Sequence, residues 1–210
     1  MAGSTNNIAG IEGFDASLPG GWTGTQNLSN HWGNVHSNGD GSITVTSSGG
    51  QDAGALQQGG GSGYGLYSFT LSNTPGDVPG AYALLWPADN KWPGAEIDTV
   101  EILANGQEYS TVHWNNNGKD AYAAKDLPNV KTSDVHTYST AWLPGSITNY
   151  VDGVQANQFT DHVPADAAHG GTNSLAGVGE QTWWSMDLQH GDNSVHLQNV
   201  QYAPPDTPLV

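Results

Sequence analysis

The stretch Glu96-Ile97-Asp98-Thr99-Val100-Glu101 places three carboxylates within six residues of a short apolar run. Residues 83–86 (Ala-Leu-Leu-Trp) precede it and Ile102-Leu103 follows it, and both have the composition of interior strands. Pro93-Gly94 interrupts the pattern and marks where the strand of the motif begins. The pattern therefore predicts a buried β-strand that carries three acids.

Alternation along that strand decides which acids can meet. Glu96 and Asp98 share one face, whereas Ile97 points to the other. Glu101 lies five positions after Glu96, so a regular strand would send it to the opposite face. A one-residue bulge at Thr99-Val100 restores it, and bulges are frequent where a strand re-aims a side chain beside an active site. We therefore expect all three acids to line one face.

The apolar neighbours of the acids give the bulge a second consequence. With the bulge in place, Ile97 and Ile102 pack behind the acids. Deleting Val100 is then expected to shift the later part of the strand and to turn Ile102 and Leu103 to the opposite face.

Three carboxylates this close repel one another and raise at least one pKa, which costs stability unless chemistry uses it. Retaining glycoside hydrolysis needs one ionised carboxylate as nucleophile and one protonated carboxyl as general acid, about 5–5.5 Å apart. Two Glu side chains on one strand face can meet that requirement. The alternative is a solvated acidic edge, but only five Glu occur in the chain and two lie inside this apolar strand.

Composition restricts the partners of the chain. It has four Lys, no Arg and twenty acids, for a net charge of −16, and no Cys. Such a chain cannot bind nucleic acid by counterion release, and it should be repelled by sulfated or uronate-rich glycans, which favours a neutral polysaccharide. Without Cys, there are no disulfides or metal–thiolate sites. No stretch of eighteen apolar residues predicts a membrane span, so no membrane partner is expected.

The organisation of the chain predicts one all-β domain. Strand signals recur about every ten residues, and no segment keeps a helical period over three turns, a pattern typical of a two-sheet antiparallel sandwich. Residues 1–10 are interpreted as a flexible lead, 11–203 as a single catalytic β-sandwich domain, and 204–210 as a tail or linker. Met1 is followed by no signal-peptide pattern. We nevertheless expect a secreted, extracellular protein. One interpretation is that the chain is a domain of a larger protein that is exported without a cleaved N-terminal signal.

Residues 86–101 resemble glycoside hydrolase family 16, in the bulged E-I-D-x-x-E spelling of its laminarinase-type branch. The likeness runs from about Phe14 to Tyr202 and is supported by three further motifs in the same order: Thr111–Trp114, His136–Trp142 and Asn149–Val154. The resemblance implies a concanavalin A-like jelly roll. It also implies that Glu96 is the nucleophile, Asp98 the assisting carboxylate and Glu101 the acid/base.

Two departures from the family pattern affect the expected site. Gln198 stands where relatives that bind structural calcium have an acid, so the resemblance leaves that calcium open, and the chemistry itself requires no cofactor. Residues 176–184 differ from the Gly-rich segment that helps to form one end of the family's cleft, which leaves subsite specificity open.

Aromatic side chains near the acids are candidates for binding sugar rings, because sugars present flat C–H faces. The candidates for substrate binding are Trp86, Trp92, His113, Trp114 and Trp184. Core packing is the alternative for each Trp, and a structural role is the alternative for His113. His113 and Trp114 are adjacent in a strand, so we expect only one of them to face the cleft. The other His residues lack metal-ligand spacing, so no metal site is predicted.

The prediction from sequence is therefore a monomeric, retaining endo-β-glycosidase. The expected substrate is an extracellular β-1,3- or mixed β-1,3/1,4-glucan. One alternative keeps the mechanism and changes the substrate to a succinoglycan-type bacterial exopolysaccharide of glucose and galactose. Another is a non-catalytic glycan-binding module on the same sandwich.

Overall fold

The computed structural model describes residues 10–47, 51–74, 80–103, 105–180 and 193–207. These residues form fifteen β-strands and two short 3₁₀ helices, Thr25–Asn27 and Ala167–His169, and no helix among them is long and apolar enough to cross a membrane. The strands are β1 Trp22–Thr23, β2 Asn30–Trp32, β3 Asn34–Ser37, β4 Ile43–Ser47, β5 Ala53–Leu56, β6 Gly65–Thr74, β7 Ala81–Pro87, β8 Ile97–Ile102, β9 Glu108–Asn116, β10 Lys119–Asp126, β11 His136–Leu143, β12 Ser146–Val151, β13 Val154–Phe159, β14 Ser174–Glu180 and β15 Asn193–Ala203.

The strands form two antiparallel sheets. One sheet, called the cleft sheet below, has the order β10-β9-β8-β7-β14-β5-β2. The other, the back sheet, has the order β13-β12-β11-β6-β15-β4-β3, with β1 paired to β15. The acid-bearing strand β8 lies near the middle of the cleft sheet, between β7 and β9. This arrangement confirms the predicted two-sheet antiparallel sandwich.

The core lies between the two sheets. The inward side chains of β8, Ile97, Val100 and Ile102, belong to it and are almost fully buried. From the back sheet, the indole of Trp142 is completely buried and donates from Nε1 to the Pro164 carbonyl at 2.9 Å. Burying side chains of this size supplies the main favourable term for folding, and it fixes which face of β8 is turned away from the core.

A tight turn places the edge strand of the cleft sheet. Asn117 and Gly118 both have positive φ, 56° and 83°, and they join β9 to β10 with Asn116 opposite Lys119. An Asn-Gly pair favours this two-residue hairpin because both positions need the left-handed region. β10 is thereby held in register against β9, and its alternate side chains reach the solvent face of the cleft sheet.

The chain ends of the sandwich are paired together. Phe14 bridges Pro205, and the Asp206 amide donates to the Gly13 carbonyl at 3.0 Å. The pairing therefore continues past residue 203, where the sequence predicts the domain to end.

Candidate active site

Strand β8 contains the predicted bulge. Against β7, Asp98 pairs with Leu84 and Val100 pairs with Ala83, so Thr99 has no partner on that side. Against β9, the register also shifts between Asp98 and Glu101. Two residues of β8 thus stand where a regular ladder has one, which is the definition of a bulge.

The bulge turns two successive side chains into the interior. Thr99 Oγ1 accepts a hydrogen bond at 2.9 Å from Thr140, which lies on the back sheet, and Val100 is fully buried in the core. Alternation then resumes with Glu101 on the outer face. There Glu101 Oε2 accepts a hydrogen bond from Thr111 Oγ1 at 2.5 Å. All three acids therefore lie on the same side of the cleft sheet.

Glu96 lines a cleft of about 840 Å³, and so do Thr111 and Tyr109, which are hydrogen-bonded to Glu101. Every second residue of β9 from Tyr109 to His113 lines the cleft, as does every second residue of β10 from Asp120 to Asp126, in agreement with the hairpin register. A smaller depression of about 270 Å³ shares Trp86 and Glu96 with the cleft and continues toward β2, β5 and β14. The residues that line the main cleft are Trp86, Trp92, Glu96, Leu103, Gln107, Tyr109, Thr111, His113, Asp120, Tyr122, Ala124 and Asp126.

Burial and mutual repulsion raise the pKa values of the three acids. Removal from water, followed by the charge of Asp98, raises the pKa of Glu96 to about 9. Burial, followed by the charge of Glu101, raises the pKa of Asp98 well above its usual range. Burial also raises the pKa of Glu101, while the hydrogen bond from Thr111 lowers it in part. At neutral pH the three carboxyls therefore hold fewer than three negative charges.

His113 connects Asp98 to the edge strand. Its Nε2 lies 3.2 Å from Asp98 Oδ2, and its Nδ1 lies 3.0 Å from Asp120 Oδ1. His113 and Asp98 are buried, whereas Asp120 on β10 is about one-third exposed. Glu96, Asp98 and His113 each offer one ligand atom within 4.8 Å of the others, so this is also the group in the described chain that could hold a metal ion.

Three of the predicted aromatic positions meet at the cleft. Trp86 and Trp92 stack with ring centroids 5.5 Å apart, and Trp92 lies 5.4 Å from the His113 ring. Tyr122 continues the row at 5.6 Å from His113. Trp92 and Tyr122 are 47% and 63% exposed, which leaves broad apolar faces open to a ligand.

Trp114 does not reach this cleft. It is the neighbour of His113 on a regular stretch of β9, so it points to the other side, where it packs on the core and stacks on His162 at 3.8 Å. The prediction that only one of the pair faces the cleft agrees with this arrangement, and Trp114 takes the core-packing alternative. Trp184 lies outside the described residues.

Eight of the lining residues were not anticipated from the sequence, and four of them contact Glu101 or His113: Tyr109, Thr111, Asp120 and Tyr122. The available signal was the Asn117-Gly118 turn, which predicts a hairpin and hence pairs every second residue of the next segment with the strand of His113.

A two-sheet antiparallel sandwich with carboxyls clustered on a bulged strand, in a cleft lined by aromatic rings, is the architecture of jelly-roll glycoside hydrolases. The family model of glycosyl hydrolases family 16 matches residues 24–171. The chain belongs to that family, as the motif spelling predicts.

Relatives and solved structures agree with this assignment. The β-glucanase of Acetivibrio thermocellus is 27% identical over 149 residues, covering 70% of this chain and 44% of the relative. The β-glucanase of Brevibacillus brevis is 27% identical over 215 residues, covering 92% and 81%. The laminarinase from Rhodothermus marinus superposes with a TM-score of 0.62 at 20% identity, over 83% of this chain and 81% of that one, and shows the same fold. The chain spans about half the length of several curated relatives that it matches.

Proposed function

We propose that this chain is a retaining endo-β-glycosidase that cleaves a neutral extracellular polysaccharide, a β-1,3- or mixed β-1,3/1,4-glucan. The observation that carries the proposal is the bulge of β8, which brings Glu96, Asp98 and Glu101 to one face of the cleft sheet, where Glu96 lines the cleft. A strand does not need three buried acids for folding, and their raised pKa values cost stability. Such a cost is expected where the proton distribution is used in chemistry.

In the proposed reaction, the ionised carboxylate of Glu96 attacks the anomeric carbon while Glu101 donates its proton to the leaving oxygen. The glycosidic bond breaks, and a glycosyl ester on Glu96 forms. Glu101, now ionised, takes a proton from water, and the resulting attack releases the sugar and restores both carboxyls. The raised pKa of Glu101 favours the proton that the first step needs. Burial and the charge of Asp98 raise the pKa of Glu96 to about 9, so this carboxyl must lose its proton before it attacks.

Asp98 contacts the nucleophile, and His113 holds Asp98 in place. Asp98 is hydrogen-bonded to Glu96 and is held by the nearby imidazole of His113. When Asp98 carries the proton, its O–H can donate a hydrogen bond to Glu96 and stabilise Glu96 as a carboxylate. No cofactor takes part in this scheme.

The cleft surface favours an uncharged substrate. Its described lining contains Asp120 and Asp126 and no Lys or Arg. Together with the net charge of −16, this disfavours sulfated or uronate-rich chains. The aromatic row from Trp86 to Tyr122 offers stacking faces for sugar rings. The names of the relatives, β-glucanase and laminarinase, support β-glucan within this class.

The decisive experiment measures release of reducing sugar from laminarin, from barley mixed-linkage glucan and from a succinoglycan-type exopolysaccharide. Glu96→Gln is the matched control, because it keeps the shape of the side chain and removes the nucleophile. Proton NMR of the first product should show the β-anomer before mutarotation if the reaction retains configuration. Cleavage of the exopolysaccharide alone would move the substrate assignment to that alternative. Binding of all three glycans without release by the wild-type chain would identify a non-catalytic module.

A further inference from the structure

Two buried atoms of the acid cluster that could bind a metal ion lie close together. Asp98 Oδ2 and His113 Nε2 are both buried and face each other at 3.2 Å as an ion pair, and neither makes a well-formed hydrogen bond to a described residue. Their side chains are only 3% and 6% exposed. Unsatisfied buried polar atoms are rare and require an explanation, of which a bound ion is one.

The spacing of these atoms fits one ion. Tetrahedral zinc with bonds of about 2.0–2.1 Å to nitrogen and oxygen places neighbouring ligand atoms roughly 3.3 Å apart. The observed 3.2 Å between Asp98 and His113 matches that edge. Glu96 offers a third ligand atom within 4.8 Å of both, and its flexible side chain can close the remaining distance.

The surroundings of His113 have a further feature of zinc sites. Zinc-ligating imidazoles usually donate their second ring N–H to a carboxylate, which fixes the tautomer and the direction of the ring. His113 Nδ1 lies 3.0 Å from Asp120 Oδ1 and 3.3 Å from Asp120 Oδ2. Glu96 and His113 also border the open cleft, so an ion has an entry path and a free position for water.

We propose that the cleft binds one divalent cation of the zinc class on Glu96, Asp98 and His113, with Asp120 orienting the imidazole. An imidazole together with two carboxylates favours zinc, copper or nickel over magnesium and calcium. The same ion occupies the carboxylate of Glu96, so it blocks glycoside cleavage reversibly. The binding step stands on this geometry alone, whereas the inhibition rests on the proposed function.

Isothermal titration of the chelator-treated chain with Zn²⁺ tests the binding step. We expect one site per chain in the wild type and loss of that site in His113→Gln. Asp120→Asn should keep the site with an affinity about 10–100-fold weaker, the usual effect of removing such a partner. The control for charge is Asp126→Asn, on the same strand and cleft face without contact to His113, and the control for stray binding is His36→Gln on exposed β3. Both should leave the affinity unchanged, as should excess Mg²⁺.

The proposal is overturned if the wild type binds no zinc, if His113→Gln retains the site, or if Asp120→Asn and Asp126→Asn weaken binding equally. Thermal melting of each variant shows whether loss of binding reflects unfolding. If His113→Gln does not fold, the comparison of the two Asp variants decides. In an active preparation, Zn²⁺ should abolish glucan cleavage and a chelator should restore it. Cleavage that continues at saturating zinc overturns the inhibitory half, whereas an inactive chain that binds zinc refutes only the proposed glycosidase.

Discussion

At the scale of single residues, the two glutamates have different partners. Glu96 is surrounded by acidic groups and by His113. After burial, the charge of Asp98 has the largest effect on the pKa of Glu96. Glu101 instead receives a hydrogen bond from Thr111, and the Tyr109 hydroxyl is also hydrogen-bonded to it. Hydrogen bonds donated to a carboxylate favour its ionised form. These hydrogen bonds offset part of the effect of burial on Glu101, so this carboxyl can both give up and regain a proton, as an acid/base must.

Thr111→Val tests that adjustment. The Thr111 hydrogen bond lowers the pKa of Glu101, so its removal should raise that pKa, because a charge-assisted hydrogen bond to the carboxylate is lost. Since the first step needs protonated Glu101, the alkaline limb of the kcat/KM profile should move to higher pH. Thr111→Ser keeps a hydroxyl and should leave the limb in place. A limb that moves to lower pH in Thr111→Val would contradict the role of Glu101.

Replacing each glutamate by Ala separates their roles. Both variants should lose polysaccharide cleavage, by about 10²–10⁴-fold for Glu101. With an activated aryl glycoside, azide should rescue Glu101→Ala through the glycosyl enzyme and give a β-linked azide. In Glu96→Ala, azide should enter from the vacated face and give the α-linked product. NMR of the azides decides, and the reverse assignment would exchange the two roles.

The acids could be identified from sequence because their chemistry is contained in one local pattern. Asp120 and Tyr122 could not be identified in the same way. They meet His113 through the hairpin between β9 and β10. The Asn117-Gly118 turn predicts that pairing, but the segment Asp120-Ala121-Tyr122 alone does not show which of its side chains reach the cleft face.

At the scale of elements, the bulge of β8 determines the site. The structure changes the expected effect of deleting Val100. Because Thr99 and Val100 both point inward, removing one of them restores regular alternation. Ile102 and Glu101 then keep their faces, and no flip follows. The sequence predicts the extra residue, but it does not show that the side chain of that residue points into the core.

Deletion of Thr99 should accordingly leave a folded chain with its three acids still on the cleft face. The expected loss is limited to about 1–2 kcal/mol in unfolding free energy, since the buried hydroxyl of Thr140 retains Asn149 Oδ1 as an acceptor at 2.6 Å. Deletion of Ile97 is the matched control, because no bulge absorbs it and the acids would be separated onto opposite faces. Urea denaturation compares the two. Equal destabilisation would show that the bulge does not isolate its extra residue.

The orientation of Trp114 follows from the regularity of β9, which its sequence does not reveal. Alternation correctly separated it from His113, but only the structure shows that β9 has no second bulge in this region. Sequence patterns could therefore establish that one of the two side chains faces the cleft and could not establish which.

At the scale of the whole molecule, a strongly acidic chain buries several carboxyls. Besides the three in the cleft, Glu108 is 1% exposed between the sheets, and its Oε1 accepts from the Tyr138 hydroxyl at 3.0 Å. Burial raises the pKa of Glu108 to about 7, opposed by the Tyr138 hydrogen bond and by the nearby His136 and assisted by Asp152. A sandwich with so few basic residues offers these groups no Lys or Arg partner, so protonation is the available way to reduce their cost.

The stability of the molecule should therefore fall as the solution becomes alkaline. A carboxyl whose native pKa exceeds its unfolded value binds more protons when folded, so unfolding free energy decreases between the two pKa values as pH rises. For Glu108 this window runs from about 4.5 to about 7, with an upper bound of about 3 kcal/mol. Glu108→Gln keeps an oxygen for Tyr138 and should flatten the pH dependence in that window only. Glu96→Gln should flatten a window extending to about pH 9, in line with the pKa of Glu96. Urea denaturation at pH 5, 6, 7, 8 and 9 separates the two, and a Glu108→Gln curve parallel to that of the wild type below pH 7 would show that this carboxyl is not protonated in the fold.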